Sequence, residues 1–164
     1  VYLANVLGVD MGMFYKRRDY SKIVDGRNPI VAHEFLGTSV EGKDVIIIDD
    51  MISSGDTIIK IASLLKEKGA GRVYICSTFG FFTDGLDKFD DAYKKGYFDK
   101  LLTTNLVYQS PELLEKPYYI SCDMSKYIAL IIDTLNHDTS VSHLLNPVDR
   151  IKRCVTNYMS QHEK

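Results

Sequence analysis

Val45-Ile46-Ile47-Ile48-Asp49-Asp50-Met51-Ile52-Ser53-Ser54-Gly55-Asp56-Thr57 is the stretch on which the reading of this chain turns. Residues 44–48 carry a continuous apolar run, Val45 to Ile48, the mark of a parallel strand covered on both faces. Two adjacent carboxylates close it. Small hydroxyl residues and one glycine follow, and from Thr57 the apolar residues fall at helical spacing. Two acids can accept hydrogen bonds from a vicinal diol. A turn of small residues can offer backbone N–H groups to an anion, and the helix N-terminus adds a favourable dipole. Each part therefore suits one piece of a sugar phosphate.

Working outward, strand and helix patterns alternate. Residues 9–15 read as a strand ending in Lys16-Arg17-Arg18, and 19–32 as a long loop carrying Gly26 and Pro29. Strands are expected over 32–36, 73–77, 101–107 and 118–121. Helices are expected over 57–68, 85–95, 111–115 and 125–136, the last with Ile128, Ile131, Ile132 and Leu135 on one face. Asn146 and Pro147 predict the N-cap and first position of a final helix over 147–163. The first eight residues read as a helix end closed by Gly8, as in a domain cut from a longer chain. This alternation predicts an α/β domain, a mainly parallel sheet flanked by helices. In such sheets ligands bind at the carboxyl ends of strands, where Asp49, Asp50 and Lys16 are expected.

Composition narrows the partners. The chain has 164 residues, 45% hydrophobic and 26% charged, with a net charge of −2. That is ordinary for a globular domain and points to neither nucleic acid nor an anionic membrane surface. No apolar run reaches the length of a membrane span. Three scattered cysteines, Cys76, Cys122 and Cys154, make neither a disulfide framework nor a zinc set and suit a reducing cytoplasm.

An acid pair alone is most often a solvated turn. Followed by Ser-Ser-Gly-x-Thr and a helix, it is much rarer. Side chains alternate along a strand, so both acids can face one ligand only where the chain bends, at the strand exit. Ser53, Ser54 and Thr57 could cap the helix, but three hydroxyls exceed what a cap needs. Gly55 would let the backbone approach an anion without a Cβ in the way.

The stretch closely resembles the phosphoribosyl-pyrophosphate loop of the type I phosphoribosyltransferase fold, which includes the ribose-phosphate pyrophosphokinases. By that resemblance Asp49 and Asp50 hold the ribose hydroxyls, while Ser53, Ser54, Gly55, Asp56 and Thr57 hold the 5-phosphate. Asp56 stands where many members have a small neutral residue; its carboxylate is expected to point outward or to interact with the first turn of the helix. Lys16-Arg17-Arg18 resembles the Lys-x-Arg of the pyrophosphokinases, so Lys16 and Arg18 would be catalytic, stabilising charge on the transferred diphosphate. Residues 40–45, 66–74 and 140–145 also follow the pyrophosphokinases' phrasing. The resemblance spans about 1–145, taken as the C-terminal catalytic domain of a two-domain enzyme whose first domain is absent here, with 146–164 an additional helix. It implies a ribose-phosphate diphosphokinase acting on ATP and ribose 5-phosphate with Mg²⁺, cytoplasmic, and assembled as dimers or hexamers. No secure metal ligand stands out within the chain. The alternatives are a type I phosphoribosyltransferase for a nucleobase and a non-catalytic regulatory subunit of a synthetase. His33, beyond the loop, is given no role. The Phe79-Gly80-Phe81-Phe82 cluster is expected in a core or subunit interface.

Overall fold

The computed structural model describes residues 1–18 and 30–162, and side chains for 1–15 and 35–161. The expected loop over 19–32 falls for the most part outside the described residues. The side chains of Lys16, Arg17, Arg18 and His33 lie outside them too. The chain divides into two compact units, Val1–Tyr15 with Phe35–Thr38 and Lys126–Lys164, and Lys16–Glu34 with Ser39–Ser125.

In the first unit, helix α1 (Tyr2–Leu7) is closed by Gly8 in the left-handed region, φ 66°, as the glycine predicts. It packs on the long C-terminal helix α7 (Val148–His162), through Val6 and Leu7 against Ile151 and Val155. Asn146 caps α7, its side-chain oxygen accepting the Val148 N–H at 3.2 Å. Helix α5 (Ser125–Asn136) matches its expected span, yet Ile132 and Leu135 of its apolar face are exposed. A four-residue helix, α6 (Ser142–Leu145), was not legible in the sequence, being too short to show a period.

Strands β1 (Met13–Arg18) and β2 (Ile30–Leu36) pair as a two-stranded sheet. The expected strand over 9–15 is thus displaced toward the C-terminus, and the basic triplet lies within β1 rather than after it.

The second unit holds a four-stranded parallel sheet whose spatial order follows the chain: β3 (Val45–Ile52), β4 (Val73–Gly80), β5 (Lys100–Thr104) and β6 (Tyr119–Cys122). The crossovers carry α2 (Asp56–Glu67), α3 (Asp87–Lys94) and the short α4 (Pro111–Leu114). Val73 and Ile75 of β4 and Leu101 and Thr103 of β5 are buried, as are Ile58, Ala62 and Leu65 of α2 and Phe89 and Ala92 of α3. Each helix thus buries one stripe against the sheet. On the other face, Tyr74 and Cys76 of β4 and Leu102 of β5 are half-buried, while Ile46 and Ile48 of β3 are 57% and 59% exposed. The apolar run Val45 to Ile48 is therefore not covered on both faces among the described residues. Its uniform hydrophobicity says what each face tolerates, not what lies on it.

Charges fasten the ends of the crossovers. The Asp99 carboxylate accepts the Val73 N–H at 2.8 Å and faces Lys66, whose Nζ also bonds the Gly71 carbonyl. Between α3 and β6, Asp90 accepts from Lys116 Nζ at 2.7 Å and from the Tyr118 hydroxyl at 2.8 Å. Tyr118 is 1% exposed and packs edge-on against Phe98 at 5.3 Å. Burial works against the Asp90 charge, but Lys116 and Tyr118 outweigh it, so the carboxyl sits below its ordinary value of 3.8. A depressed carboxyl stabilises the fold above the unfolded value, and that contribution is lost as pH falls through the folded one. Asp90→Asn should therefore unfold more readily than wild type at neutral pH. The gap between their melting temperatures should close as the pH is taken below 3.8.

Candidate functional site

The site begins where β3 leaves the sheet. The register with β4 runs from Val45 opposite Val73 to Asp49 opposite Ser77, skips Asp50, and resumes with Met51 opposite Phe79 and Ile52 opposite Gly80. Both acids therefore lie inside the strand, not at its exit. Asp49 continues the half-buried row of Val45 and Ile47, and Asp50 the exposed row of Ile46 and Ile48. The ladder shows no bend there: the pairing offset is the same on either side of Asp50, so the two carboxylates stay on alternate rows of the strand. Each carboxylate is tied to the next amide: Asp49 Oδ1 accepts the Asp50 N–H at 2.9 Å, and Asp50 Oδ1 the Met51 N–H at 2.8 Å. Among the described residues no donor reaches the second oxygen of either carboxylate. Burial pushes the Asp49 carboxyl above its ordinary value, and the neighbouring Asp50 carboxylate adds to the push.

Residues 53–57 form the turn into α2. Gly55 stands at the N-cap with φ 90°, in the left-handed region that favours glycine, and no side chain caps the helix. Of the three neighbouring hydroxyls, Ser54 Oγ accepts the Asp56 N–H at 3.5 Å. Ser53 and Thr57 are exposed and Ser54 half-buried. Beyond Asp56, the first turn presents N–H groups at the positive end of the helix dipole.

Packing also calls for a glycine at position 55. A Cβ there would come within 2.2 Å of the Phe89 ring. The glycine is needed for the aromatic ring behind the loop as much as for any ligand in front of it. Phe89 is fully buried and meets Phe82 edge-on at 5.1 Å. Phe82 is half-buried beside it, and Phe81 is 49% exposed.

The segment after β4 grips the loop from its other side. The Phe81 N–H donates to the Ile52 carbonyl at 2.8 Å, and the Thr83 N–H to the Ser53 carbonyl at 3.1 Å. Asp56 is the first residue of α2, where a negative charge is favourable, and its side chain is 72% exposed. Its Oδ1 accepts from Lys88 Nζ at 2.8 Å and its Oδ2 from Ser54 Oγ at 2.8 Å. Lys88 first, and Ser54 second, hold this carboxyl below its ordinary value. Lys88 also reaches Asp84 Oδ2 at 3.1 Å. Thr83, Asp84, Lys88 and Phe89 were missed by sequence reasoning. They lie about thirty residues from the loop, beyond any spacing rule.

Lys16 and Arg18 are placed on β1 by backbone alone. Among the described residues no three His, Cys, Asp or Glu side chains gather where they could hold a metal ion. The geometry predicts that Gly55→Ala loses about 1–3 kcal/mol by overpacking, read by urea unfolding. Adding Phe89→Leu, which clears the ring, should recover part of that loss.

Comparison with known proteins fits this geometry. A family model described as "phosphoribosyl synthetase-associated domain" matches residues 23–146. A ribose-phosphate pyrophosphokinase of Vibrio parahaemolyticus is 30% identical over 144 residues, which is 87% of this chain and 43% of that protein. The enzyme of the same name from Thermococcus kodakarensis is 34% identical over 106 residues, 64% of this chain and 34% of that protein. The crystal structure of phosphoribosylpyrophosphate synthetase from Mycobacterium smegmatis superposes with a TM-score of 0.64 at 25% identity, covering 84% of this chain and 40% of that one. The chain spans less than half the length of these relatives. With most of its length matched by the family model and its loop built as described, this chain belongs to the phosphoribosyl synthetase-associated domain family.

Proposed function

We propose that this chain is the ribose 5-phosphate-binding half of a ribose-phosphate diphosphokinase. The observation that carries the reading is the β3–loop–α2 junction: two carboxylates, an uncapped helix N-terminus and three hydroxyls within nine residues, 49–57. Asp49 and Asp50 each keep one oxygen for a ribose hydroxyl. Ser53, Ser54, Gly55, Asp56 and Thr57 form the cradle of the 5-phosphate. The ribose 1-hydroxyl would then attack the β-phosphorus of ATP, giving 5-phosphoribosyl 1-diphosphate and AMP. Lys16 and Arg18 are the groups proposed to stabilise charge on the diphosphate in flight.

Mg²⁺ would supply charge neutralisation on the nucleotide phosphates. It characteristically binds through one or two carboxylates plus substrate phosphates, which suits a chain with an acid pair and no larger donor cluster among its described residues. Free Cys76 and Cys122 are consistent with a cytoplasmic setting. No described helix is long and apolar enough to cross a membrane. Because the relatives carry as much chain again, the 164-residue chain should bind ribose 5-phosphate yet turn over poorly, and assembly into dimers or hexamers belongs to the longer form. A nucleobase transferase would need a hood over the base, and nothing in the sequence reads as one.

Calorimetry with ribose 5-phosphate and Mg²⁺ tests the sugar site. Asp49→Asn/Asp50→Asn should abolish binding without loss of fold. The sign for Asp49 is specific. A raised carboxyl costs stability wherever it is ionised, above its folded value, and costs nothing below 3.8. Asp49→Asn should therefore lose affinity at neutral pH while its urea midpoint stays level or rises. Retained binding, or lost stability, would count against a ligand role. In the longer form shared with the relatives, Lys16→Ala should lower turnover by about 10²–10³. Unchanged turnover would favour the regulatory subunit.

A further inference from the structure

We propose that Lys88 is a positioning and charge-setting residue of the phosphate cradle: it neutralises the carboxylate that Asp56 places in the loop, so that the loop can accept a phosphate dianion. This deepens the proposed function and rests on residues 53–57 being the phosphate site.

The argument is one of charge and reach. Asp56 sits between Gly55 and Thr57, at the first turn of α2. One of its oxygens is bonded by Ser54, itself a cradle residue, at 2.8 Å. An unopposed carboxylate here would act against the dipole and N–H groups that make the turn attractive to anions. Lys88 comes from α3, a different element, and meets the other oxygen at 2.8 Å. It is held there by a second acid, Asp84, at 3.1 Å, one turn back on its own segment. Asp84 is in turn bonded by Thr83 Oγ1 at 3.2 Å, and Thr83 fastens Ser53 through its N–H. The lysine is thus fixed to the loop by a chain of contacts rather than by one exposed pair. Exposed ion pairs contribute little to stability. The role of this one is to set the sign of the field at the cradle, and to draw Asp56 toward α3 while Ser54 holds its other oxygen.

The test is a mutant cycle read by calorimetry with ribose 5-phosphate and Mg²⁺, each variant first shown to be folded by its circular dichroism. Lys88→Met should weaken binding about tenfold at low salt, the scale of one uncompensated charge acting on a dianion a few ångströms away. The deficit should shrink at high salt. Asp56→Asn/Lys88→Met should return to near wild-type affinity, and Lys88→Arg should bind as wild type. Asp56→Asn alone should bind more tightly than wild type, because Asp84 still holds Lys88 at the loop; this variant decides the matter if Lys88→Met fails to fold. A purely structural lysine would show neither the rescue nor the salt dependence. Wild-type affinity in Lys88→Met, or no rescue in the double variant, overturns the proposal and leaves the cradle reading intact. Failure of both wild type and Asp56→Asn to bind ribose 5-phosphate overturns the cradle reading, and this inference with it.

Discussion

The approach of the Phe89 ring to Gly55 is the constraint on which the rest of the second unit depends. The ring occupies the space where any Cβ would be. It fixes how closely α3 can lie behind the loop, and so where Thr83, Asp84 and Lys88 fall. Burial of such a ring is worth several kcal/mol, which exceeds the cost of holding a glycine at φ 90°. The turn into α2 is therefore a packed corner with an open mouth. Its back is aromatic and dry; its front is polar and uncapped. That division lets a surface loop keep one geometry without a ligand to hold it.

The charges around this corner fall into two groups with different tasks. Asp44 with Arg72 and Lys66 with Asp99 lie near the amino ends of the strands. They close turns and hold registers. Asp49, Asp50, Asp56, Asp84 and Lys88 lie past or near the carboxyl ends, where a parallel sheet directs its loops. In the second group Asp49 and Asp50 each have one oxygen that no donor among the described residues reaches. Asp49 is kept half-buried against the preference of its charge for water.

Much of this was legible in the sequence, for identifiable reasons. Helix α5 was bounded as found because its apolar period is unbroken from Tyr127 to Leu135. Helix α7 began where Asn146 and Pro147 said it would, and Gly8 closed α1. The loop 53–57 stood out because hydroxyls and glycine are packed together in a way no core or cap demands. Strand ends were harder. The ladder carries polar residues as readily as apolar ones, so β3 continues through Asp49 and Asp50 and β4 through Gly80. Which face of β3 would be covered could not be read from a run that is apolar on both. Long-range partners were out of reach altogether: nothing in local spacing ties Lys88 to Asp56 or Phe89 to Gly55.

The order of the sheet also bears on how the molecule is made. Strand follows strand in space as it does in the chain, each joined to its predecessor by one crossover. Every structural part of the described corner, from Asp49 to Phe89, lies within two successive crossovers. During synthesis such a unit can close before the residues of β6 and α5 have left the ribosome, since domains and subdomains form from the amino end as they emerge. That corner can then be set before β6 completes the sheet.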